Sequence, residues 1–388
     1  MANKPLLQNI TLTRFLSYGA EPTSVDLLPL NVFIGPNGSG KSNFLEALSL
    51  LRASATDLAA AIRGGGGFEE YRWKRSGPDE PVYLGVTVGQ PAEKPPLRLT
   101  LALIGKESRV SIFGEILEVV TASGDVPLYD RHMEKALYKR TAAQPGAMYD
   151  SLRIDQSIIA QLRDPESHPE LTFLYDVFRN ISLYHELNVA RKSPVRLPQP
   201  TDLPADILLP DGSNLGLVLH GATMTARNRR NLLIHLKTFY PRTENLSSQI
   251  YGSTIQPFLE EVDGSVVPPT RMSDGTLRFL CLLAILCNPD PPPVIAIEEP
   301  ELGLHPDIMP TVAELLLSAS ERSQVFVTTH SDALVGALTH KPETVLVCER
   351  SDDSTTLRRL DSEELASWLE KYTLDELWRM GEIGGNSL

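Results

Sequence analysis

The sequence predicts an α/β fold with a mixed sheet, an antiparallel β subdomain and a helical insertion, and three observations predict it. Strand and helix patterns alternate in both terminal thirds of the chain. Short alternating segments separated by Gly and Pro turns follow the first long helix pattern. Helix patterns then replace the strands in the middle of the chain. We therefore divide a single domain into an N-terminal lobe (1–150), a helical insertion (151–270) and a C-terminal lobe (271–388).

The N-terminal lobe begins with a strand pair over residues 6–34, followed by a helix over 42–62. Four β segments with alternating apolar residues come next, VYLGVTVG, LRLTLALIG, RVSIFGEILEVV and DVPLYD.

Within the insertion, the sequence predicts helices at 157–164, 169–187 and 225–240. It also predicts a Pro-rich loop at 193–212, which we expect on the surface. The C-terminal lobe returns to alternation and ends in a closing helix from about Ser362. Its predicted elements are the helices GTLRFLCLLAILCN and IMPTVAELLLSASE and the strands VIAIEE, QVFVTTH and ETVLVCE.

The composition bounds the class of protein. At 388 residues with 42% hydrophobic and 22% charged residues, the chain can bury a large core. A formal net charge of -13 disfavours a general affinity for polyanions, because nonspecific DNA binding depends on many Lys and Arg contacts. The three cysteines have no metal-ligand spacing, and no apolar run approaches the roughly 20 residues of a membrane span. We therefore expect a cytoplasmic protein with buried thiols and no membrane partner.

The segment GPNGSGKS at 35–42 fits the pattern G-x-x-x-x-G-K-[ST], with a strand pattern before it and a helix pattern after it. Its glycines let backbone N–H groups point at phosphate oxygens, and the helix N-terminus adds partial positive charge. Lys41 would reach the terminal phosphates, and the Ser42 hydroxyl would bind magnesium. The sequence thus predicts a nucleoside triphosphate site made by Gly35, Pro36, Asn37, Gly38, Ser39, Gly40, Lys41, Ser42 and Asn43.

The segment VIAIEEPELGLHP at 294–306 drives an apolar strand into adjacent carboxylates, which repel each other unless a positive partner lies beside them. Magnesium and phosphate supply that partner. Glu298 would hold the ion through water, and Glu299 would orient and polarise the attacking water. A solvated acidic loop is the alternative interpretation.

Two further candidate segments lie on either side of this strand in the sequence, one before it and one after it. In RMSDGTLRFL, Ser273 and Gly275 open a helix and so could hold a terminal phosphate, although S-D-G is also an ordinary helix cap. In FVTTHS, His330 follows a strand at a position from which its side chain can reach the same phosphate, although a lone histidine there is often structural.

Together GPNGSGKSN, SDGTLRFL, IEEPELGLHP and TTHS resemble the ABC-type ATPase superfamily, over essentially the whole chain. Within it they resemble the ATPases related to overcoming-lysogenization-defect (OLD) proteins and to RecF and SMC heads. The tail LDELWRMGEIGG resembles the end of the stand-alone ATPase branch. The resemblance implies a P-loop NTPase fold of the ABC/RecF-SMC head type with ATP and Mg²⁺ as cofactors.

The resemblance also implies roles for the residues. Lys41 and Ser42 would bind triphosphate and magnesium, Glu298 would be the Walker B acid, Glu299 the catalytic base and His330 the switch histidine. The signature from Ser273 to Gly275 would act on ATP held by a second protomer. It therefore implies a homodimer that forms on ATP binding, with higher multiples left open.

Three features depart from the family pattern. RecF-like N-termini often carry an arginine where this chain has Leu16, with Arg14 nearby. The Q-loop glutamine is either Gln144 or Gln156, and we favour Gln156. The stretch EEYRWKR is either a positive loop near phosphate or DNA or a solvated basic turn, with Arg72, Lys74 and Arg75 as its cations.

These observations favour a magnesium-dependent ATPase whose ATP-driven head dimerisation gates a partner in DNA maintenance or anti-phage defence. TVLVCERSDD resembles the first strand and acid of a TOPRIM nuclease, but we expect it to close the ATPase sheet, so a nuclease would be a separate polypeptide. The alternatives are an ATP-sensing scaffold with little turnover and a transporter subunit, which the S-D-G-T signature disfavours. Direct nucleic-acid binding is a further alternative, with ARNRR at 226–230 as the best basic cluster.

Overall fold

The computed structural model describes residues 4–106, 109–138, 146–351 and 354–385. The chain forms two compact units. The first comprises residues 1–181, 343–360 and 383–388, and the second comprises residues 182–342 and 361–382.

The first unit contains an antiparallel sheet, a separate group of strands and five helices in its described residues. Its elements are β1 (Leu7–Thr13), β2 (Thr23–Asp26), β3 (Leu30–Ile34), α1 (Lys41–Ser54), α2 (Leu58–Gly64), α3 (Phe68–Tyr71), β4 (Val82–Val88), β5 (Leu97–Lys106), β6 (Arg109–Val119), β7 (Val126–His132), β8 (Lys135–Tyr138), β9 (Ala147–Tyr149), α4 (Ile158–Gln161), α5 (Pro169–Arg179), β17 (Val345–Ser351) and β18 (Ser354–Arg359).

The second unit contains the remaining described α-helices and strands. They are β10 (Ile181–Tyr184, whose first residue belongs to the first unit), β11 (Gln199–Pro200), α6 (Leu215–Thr223), α7 (Ala226–Phe239), β12 (Thr243–Tyr251), β13 (Thr254–Glu261), β14 (Val266–Val267), α8 (Asp274–Leu286), β15 (Val294–Glu298), α9 (Met309–Ser320), β16 (Gln324–Thr328), α10 (Asp332–Ala337), α11 (Ser362–Leu369) and α12 (Leu374–Met380).

The predicted antiparallel β subdomain is an eight-stranded sheet of the order β2-β1-β4-β5-β6-β7-β8-β9. Alternate residues of its strands are buried, as in the BiBiBiB pattern of β4. One face of such a sheet packs on a core while the other meets solvent, which is why the sequence alternates. Each of the four predicted β segments forms a strand.

The strand that leads into the glycine-rich segment belongs to a different group. β3 is buried along its whole length and pairs in parallel with β17, with Val345 opposite Val32. β17 pairs antiparallel with β18. A strand covered on both faces needs a continuous apolar run rather than alternation, and LNVFI has one.

Two predicted elements of this unit are divided in the structure. The strand pair of residues 6–34 is three strands, because Leu27 to Pro29 separate β2 from β3 and Pro29 lacks the N–H that a strand ladder requires. The helix over 42–62 is interrupted after Ser54, and Asp57 starts the second helix by accepting a hydrogen bond from the N–H of Ala60.

In the second unit, β10, β15 and β16 lie side by side in that order. β15 and β16 are parallel, with Ile295 opposite Val325 and Glu298 opposite Thr328. The carboxyl ends of these two strands therefore meet at one edge, which is where ligand sites of parallel sheets form.

The middle of the chain is less helical than predicted. The helix expected over 169–187 ends at Arg179, and Ile181–Tyr184 form strand β10 instead. Residues 243–261 form a long hairpin of β12 and β13. The Pro-rich loop is not a simple surface excursion, because Arg196 is 6% exposed and Gln199 is 1% exposed.

The thiols have the expected environment. Cys281 and Cys348 are buried and Cys287 is half-buried, and all three are free. Burial raises the pKa of Cys281 and of Cys348 to about 12 and that of Cys287 to about 11, so these side chains are neutral and unreactive at neutral pH. No helix within the described ranges is long and apolar enough to cross a membrane.

Candidate active site

The phosphate loop connects buried strand β3 to helix α1 in the first unit. Three of its glycines have positive φ, at 144° for Gly35, 76° for Gly38 and 105° for Gly40. A Cβ on Gly35 would lie 2.2 Å from the carbonyl oxygen of Cys348, and one on Gly40 would lie 2.4 Å from Oγ1 of Thr355. Both the backbone angles and the close packing therefore require glycine at these two positions.

Side chains from distant parts of the first unit support the loop. Thr355 Oγ1 donates a hydrogen bond to the carbonyl of Ser39 at 2.8 Å and also bonds Ser17 Oγ at 2.7 Å. Asn43 Nδ2 donates to Ser17 Oγ at 2.7 Å. The hydroxyl of Tyr18, which is fully buried, donates to the carbonyl of Gly40 at 3.1 Å. The loop is thus held in a fixed curve by β18 and by the turn after β1.

Lys41 lies across the loop from within. Its Nζ donates hydrogen bonds to the carbonyl oxygens of Gly35 at 2.8 Å and Pro36 at 3.0 Å, and the residue is 5% exposed. The buried Ser39 Oγ has no hydrogen-bond partner among the described residues. A buried ammonium group, a hydroxyl and the N-terminus of a 14-residue helix favour an anion at this place.

The turn that contains Leu16 presents Ser17 to the loop. Arg14 and Leu16 both have positive φ, at 56° and 51°, and the N–H of Leu16 donates to the carbonyl of Tyr71 at 2.7 Å. The N–H of Trp73 donates to the carbonyl of Arg14 at 2.8 Å. Leu16 therefore contributes through its backbone, and the EEYRWKR stretch is the support of this turn.

Two of the three cations of EEYRWKR have acidic partners within the same stretch. Arg72 forms an ion pair with Glu69 and donates to the carbonyl of Gly77 at 2.9 Å. Lys74 pairs with Glu70 at 3.0 Å. These contacts favour the solvated basic turn over a positive loop for phosphate or DNA.

Gln156 lies in the turn before α4 and is half-buried. Its carbonyl accepts hydrogen bonds from Arg131 Nη1 at 2.6 Å and Gln161 Nε2 at 2.8 Å. Its role as the Q-loop glutamine stays a prediction. Gln144 lies outside the described residues.

In the second unit, strand β15 ends at the two predicted acids. Glu298 Oε2 lies 3.1 Å from Nδ1 of His185, the residue that follows β10. The two side chains line a shallow pocket together with Glu299 and Arg278. The neighbouring positions of β10 and β15 in the sheet bring the ends of these strands together.

Glu299 leaves the strand with a left-handed backbone. Its φ is 46°, while its N–H still donates to the carbonyl of Thr328 at 2.9 Å. Its Oε1 lies 3.7 Å from His330 Nε2, with the two side chains 31% and 36% exposed. Non-glycine residues rarely adopt such angles, and where they do the strain often marks a functional position. The structure thus brings together the predicted base and the predicted switch histidine.

Glu301 fixes the segment that carries the histidine. Its Oε1 accepts hydrogen bonds from Thr329 Oγ1 and from the N–H of His330, each at 2.7 Å. Its Oε2 and the Thr328 Oγ1 are buried without a hydrogen-bond partner among the described residues. The third acid of the motif is therefore a structural latch between the ends of β15 and β16.

The signature begins helix α8. Ser273 caps it by accepting a hydrogen bond from the N–H of Thr276 at 3.1 Å, so the helix-cap interpretation holds. Ser273 and Asp274 are nevertheless exposed. A Cβ on Gly275 would lie 2.9 Å from the carbonyl oxygen of Gly303, so glycine lets the loop after Glu301 approach the helix.

Arg196 holds the turn before the signature. It is 6% exposed, forms an ion pair with Asp274, and donates to the carbonyls of Pro269 and Met272 at 2.9 and 2.8 Å. It also donates to the carbonyl of Val189 at 2.7 Å. The Pro-rich loop therefore supplies the anchor that fixes the start of α8.

The oxygen donors present fit magnesium. Mg²⁺ prefers hard oxygen ligands and usually takes one or two carboxylates together with water and substrate phosphates. The hydroxyl of Ser42 and the carboxylate of Glu298 are such donors. Within the described ranges no group of three or more His, Cys, Asp or Glu side chains could hold a metal by itself. Each unit thus offers an oxygen donor that suits an ion whose other ligands are water and nucleotide phosphates.

Sequence reasoning missed His185, the latch role of Glu301 and the supports Ser17 and Thr355. Glu301 lies within the motif E-E-P-E, and that position is a signal. His185 carries no such signal, because the pattern PELTFLYDVFRNISLYHEL predicts that it lies near the end of a helix. Ser17 and Thr355 reach the loop from distant points of the sequence, and no spacing rule connects them to it.

A family model described as "AAA domain, putative AbiEii toxin, Type IV TA system" matches residues 30–93 and 150–336, more than half of the chain. Among curated proteins, the DNA replication and repair protein RecF of Mesorhizobium japonicum is 40% identical over 94 residues, which are 22% of this chain and 24% of that protein. The match thus spans about a quarter of the length of that relative.

Among solved structures, an SMC head bound to the C-winged helix domain of ScpA has a TM-score of 0.58 at 14% identity, covering 94% of this chain and 100% of that chain. An SMC head with a coiled coil and joint from Pyrococcus yayanosii has a TM-score of 0.53 at 12% identity, covering 95% and 99%. One with an extended coiled coil bound to the C-terminal domain of ScpA, derived from Pyrococcus furiosus, has a TM-score of 0.52 at 15% identity, covering 95% and 99%. These likenesses confirm the predicted P-loop NTPase fold of SMC-head type.

Proposed function

Because the chain belongs to this family of AAA domains, we propose that it is a cytoplasmic, magnesium-dependent ATPase whose ATP-driven dimerisation gates a separate effector protein. The observation that carries the proposal is the phosphate loop. Its glycines adopt backbone angles that only glycine takes readily, and Lys41 is fixed at its centre by two carbonyl oxygens. Such a loop before a helix N-terminus is built for a polyphosphate.

The acids and the histidine of the second unit support hydrolysis. A carboxylate at Glu299 would orient water and accept its proton as the bond to the γ-phosphate breaks. His330, 3.7 Å away, would hold that carboxylate and contact the phosphate. General-base assistance of this kind contributes about 10² to 10⁴ in rate. Mg²⁺ bound with the nucleotide would neutralise phosphate charge, with Ser42 and Glu298 as its protein donors.

The exposure of the signature supports a dimer. Ser273 and Asp274 lie on the surface at the N-terminus of a 13-residue helix, where a phosphate is favoured. The loop that follows the acids is also exposed, with Leu302 46% exposed and the side chain of His305 76% exposed. We propose that both bind a second copy, so that each signature acts on the nucleotide of its partner.

The relatives support a role with DNA and a partner. RecF is described as a DNA replication and repair protein, and two of the matching SMC heads are bound to a domain of ScpA. By analogy we propose that the dimer of this chain gates an effector of nuclease type in DNA maintenance or anti-phage defence. The net charge of -13 favours an indirect contact with DNA through that effector.

The first experiment compares two variants. Lys41→Ala should weaken ATP binding by about a hundredfold, because it removes charge-assisted hydrogen bonds to phosphate. Glu299→Gln should keep ATP binding but lose about a hundredfold or more in turnover. Light scattering of Glu299→Gln should show a doubled mass only with magnesium and ATP. Nucleotide affinity by calorimetry and phosphate release complete the set.

The control is Glu364→Gln, which makes the same chemical change at an exposed acid of α11 and should leave turnover unchanged. Wild-type turnover in Glu299→Gln would remove the base from the mechanism. An unchanged mass with ATP would refute dimerisation driven by nucleotide while leaving the ATPase assignment intact.

A further inference from the structure

The first unit contains a cavity of about 690 Å³ that is separate from the phosphate loop. Its walls are α2, the start of α3, the facing ends of β5 and β6, and residues 153–155. None of residues 35–43 lines it. The volume lies within the roughly 300–1,000 Å³ that small-molecule sites occupy.

The floor of the cavity is apolar and tightly built. Ile62, Phe68 and Val110 are 1%, 4% and 6% exposed. A Cβ on Gly105 would lie 2.8 Å from Cδ1 of Phe68, so the glycine allows the ring to lie directly against β5. The floor is therefore preformed and does not need a ligand to assemble it.

One wall is held by a buried ion pair. Arg131, which is 1% exposed, contacts Glu115 at 3.2 Å and donates to the carbonyl of Arg153 at 2.7 Å. The N–H of Ile112 donates to the carbonyl of Ile154 at 2.7 Å. Burying two charges is costly unless their geometry is well satisfied. Here the pair gives the segment 153–155 a fixed position at the cavity.

The rim is strongly cationic. Arg63, Lys106 and Arg109 are exposed, and none of them forms an ion pair within the part of the chain that the structure describes. Asp155 is the one carboxylate among the described lining residues, and Arg153 binds both of its oxygens at 3.2 Å. Among the described lining residues, four cations thus surround one carboxylate, in a chain whose net charge is -13. Their mutual repulsion would be relieved by a bound anion.

We propose that this cationic cavity is a second ligand site that binds a small phosphorylated organic anion of the nucleotide class. The guanidinium groups match phosphate geometry and can bind it in a bidentate manner. The apolar floor of Ile62, Phe68 and Val110 suits the flat body of a nucleotide. A concave pocket with a buried floor fits a compact ligand better than the extended backbone of a nucleic acid. The first unit, which carries the phosphate loop, would then respond to the concentration of this ligand.

The test uses the full chain with Lys41→Ala, in which the phosphate loop should bind nucleotide about a hundredfold more weakly. Calorimetric titration with adenosine diphosphate, and separately with inorganic pyrophosphate, should show one remaining site. Adding Arg63→Glu and Arg109→Glu should weaken binding by about tenfold or more, because charge-assisted contacts become repulsive. Binding should also weaken as salt is raised.

Two controls separate a site from net charge. Arg227→Glu and Arg230→Glu on α7 make the same change of charge in the second unit and should leave binding unchanged. Arg63→Lys and Arg109→Lys keep the charges but lose the bidentate geometry, so their affinity should lie between that of the Lys41→Ala parent and that of the double glutamate variant. If the double glutamate variant does not fold, as judged by thermal melting, Arg63→Gln with Arg109→Gln replaces it.

No binding of either probe to Lys41→Ala, or binding that is insensitive to Arg63 and Arg109, would overturn the proposal. Binding of a single-stranded oligonucleotide that depends on these arginines, without binding of the diphosphate, would overturn it in favour of a nucleic-acid contact. The proposed ATPase is tested separately, since normal turnover by Lys41→Ala would refute it without bearing on this cavity.

Discussion

The phosphate loop and the acidic strand end hold charged groups in opposite ways. The loop uses backbone, with glycines at positive φ and carbonyls that fix Lys41. The strand end uses side chains, in which His185 bonds Glu298 and Glu301 bonds the segment of His330. The loop requires glycine, because a Cβ does not fit beside its backbone. The strand end instead requires particular side chains from other parts of the chain.

The difference extends to tolerance of change. At the loop, the space around Gly35 is closed by main-chain atoms, which cannot rotate away. At the strand end, the contacts are single hydrogen bonds, each contributing about 0.5–1.5 kcal/mol, or more when a charge is involved. We therefore expect substitutions at the closely packed glycines of the loop to act on folding, and those at the strand end to act on turnover with a smaller change in free energy.

The largest effect is expected at Gly35. Gly35→Ala would place a Cβ 2.2 Å from the carbonyl oxygen of Cys348, so β3 and β17 would have to separate. We expect a loss of about 3 kcal/mol or more in the free energy of unfolding. Gly38→Ala is the matched control, because Gly38 also has positive φ but nothing lies within 4 Å of its Cβ position. It should lose only about 1–2 kcal/mol, the strain of a left-handed residue.

Denaturant unfolding of the full chain, followed by fluorescence and by circular dichroism, measures this pair. Equal destabilisation by the two alanines would show that backbone angle alone explains the glycines. Close packing around Gly35 would then not account for the difference between the phosphate loop and the strand end.

The same contrast explains what the sequence could predict. The phosphate loop can be predicted from the sequence, because its glycine spacing, the preceding apolar strand and the following helix are all local features. The functional acids at the end of β15 can also be predicted, because an apolar strand that leads directly into carboxylates is locally unfavourable without a positive partner.

The sequence does not reveal that His185 is the partner of Glu298, because NISLYHEL continues the helical pattern of α5. Short apolar runs do not distinguish helix from strand by periodicity. Only pairing beside β15 makes Ile181–Tyr184 a strand and places His185 at its end. Thr355 likewise reaches the loop across 316 positions of sequence, a contact that no local pattern contains.

A smaller effect is expected at Glu301. Glu301→Ala removes the acceptor of two hydrogen bonds and leaves the N–H of His330 without its carboxylate. With about 1 kcal/mol for each bond, turnover should fall about thirtyfold. Nucleotide affinity should be unchanged, because this carboxylate contacts protein groups. Glu301→Gln keeps one carbonyl oxygen as acceptor and should recover most of the rate.

Phosphate release and calorimetric nucleotide affinity, measured on the same preparations, test this expectation. A parallel loss of affinity and rate in Glu301→Ala would show that Glu301 supports the fold of the unit rather than the placement of His330.

The smallest effect is expected at His185, whose side chain is 47% exposed and hydrogen-bonds Glu298. His185→Ala removes this partner of the carboxylate, so the magnesium concentration for half-maximal turnover should rise about fivefold. His185→Asn keeps a donor near the position of Nδ1 and should stay close to wild type. Binding of manganese with nucleotide, followed by magnetic resonance, gives a readout independent of turnover. If alanine and asparagine shift the metal dependence equally, the hydrogen bond does not orient Glu298, and Glu301 is then the side chain that organises the strand end.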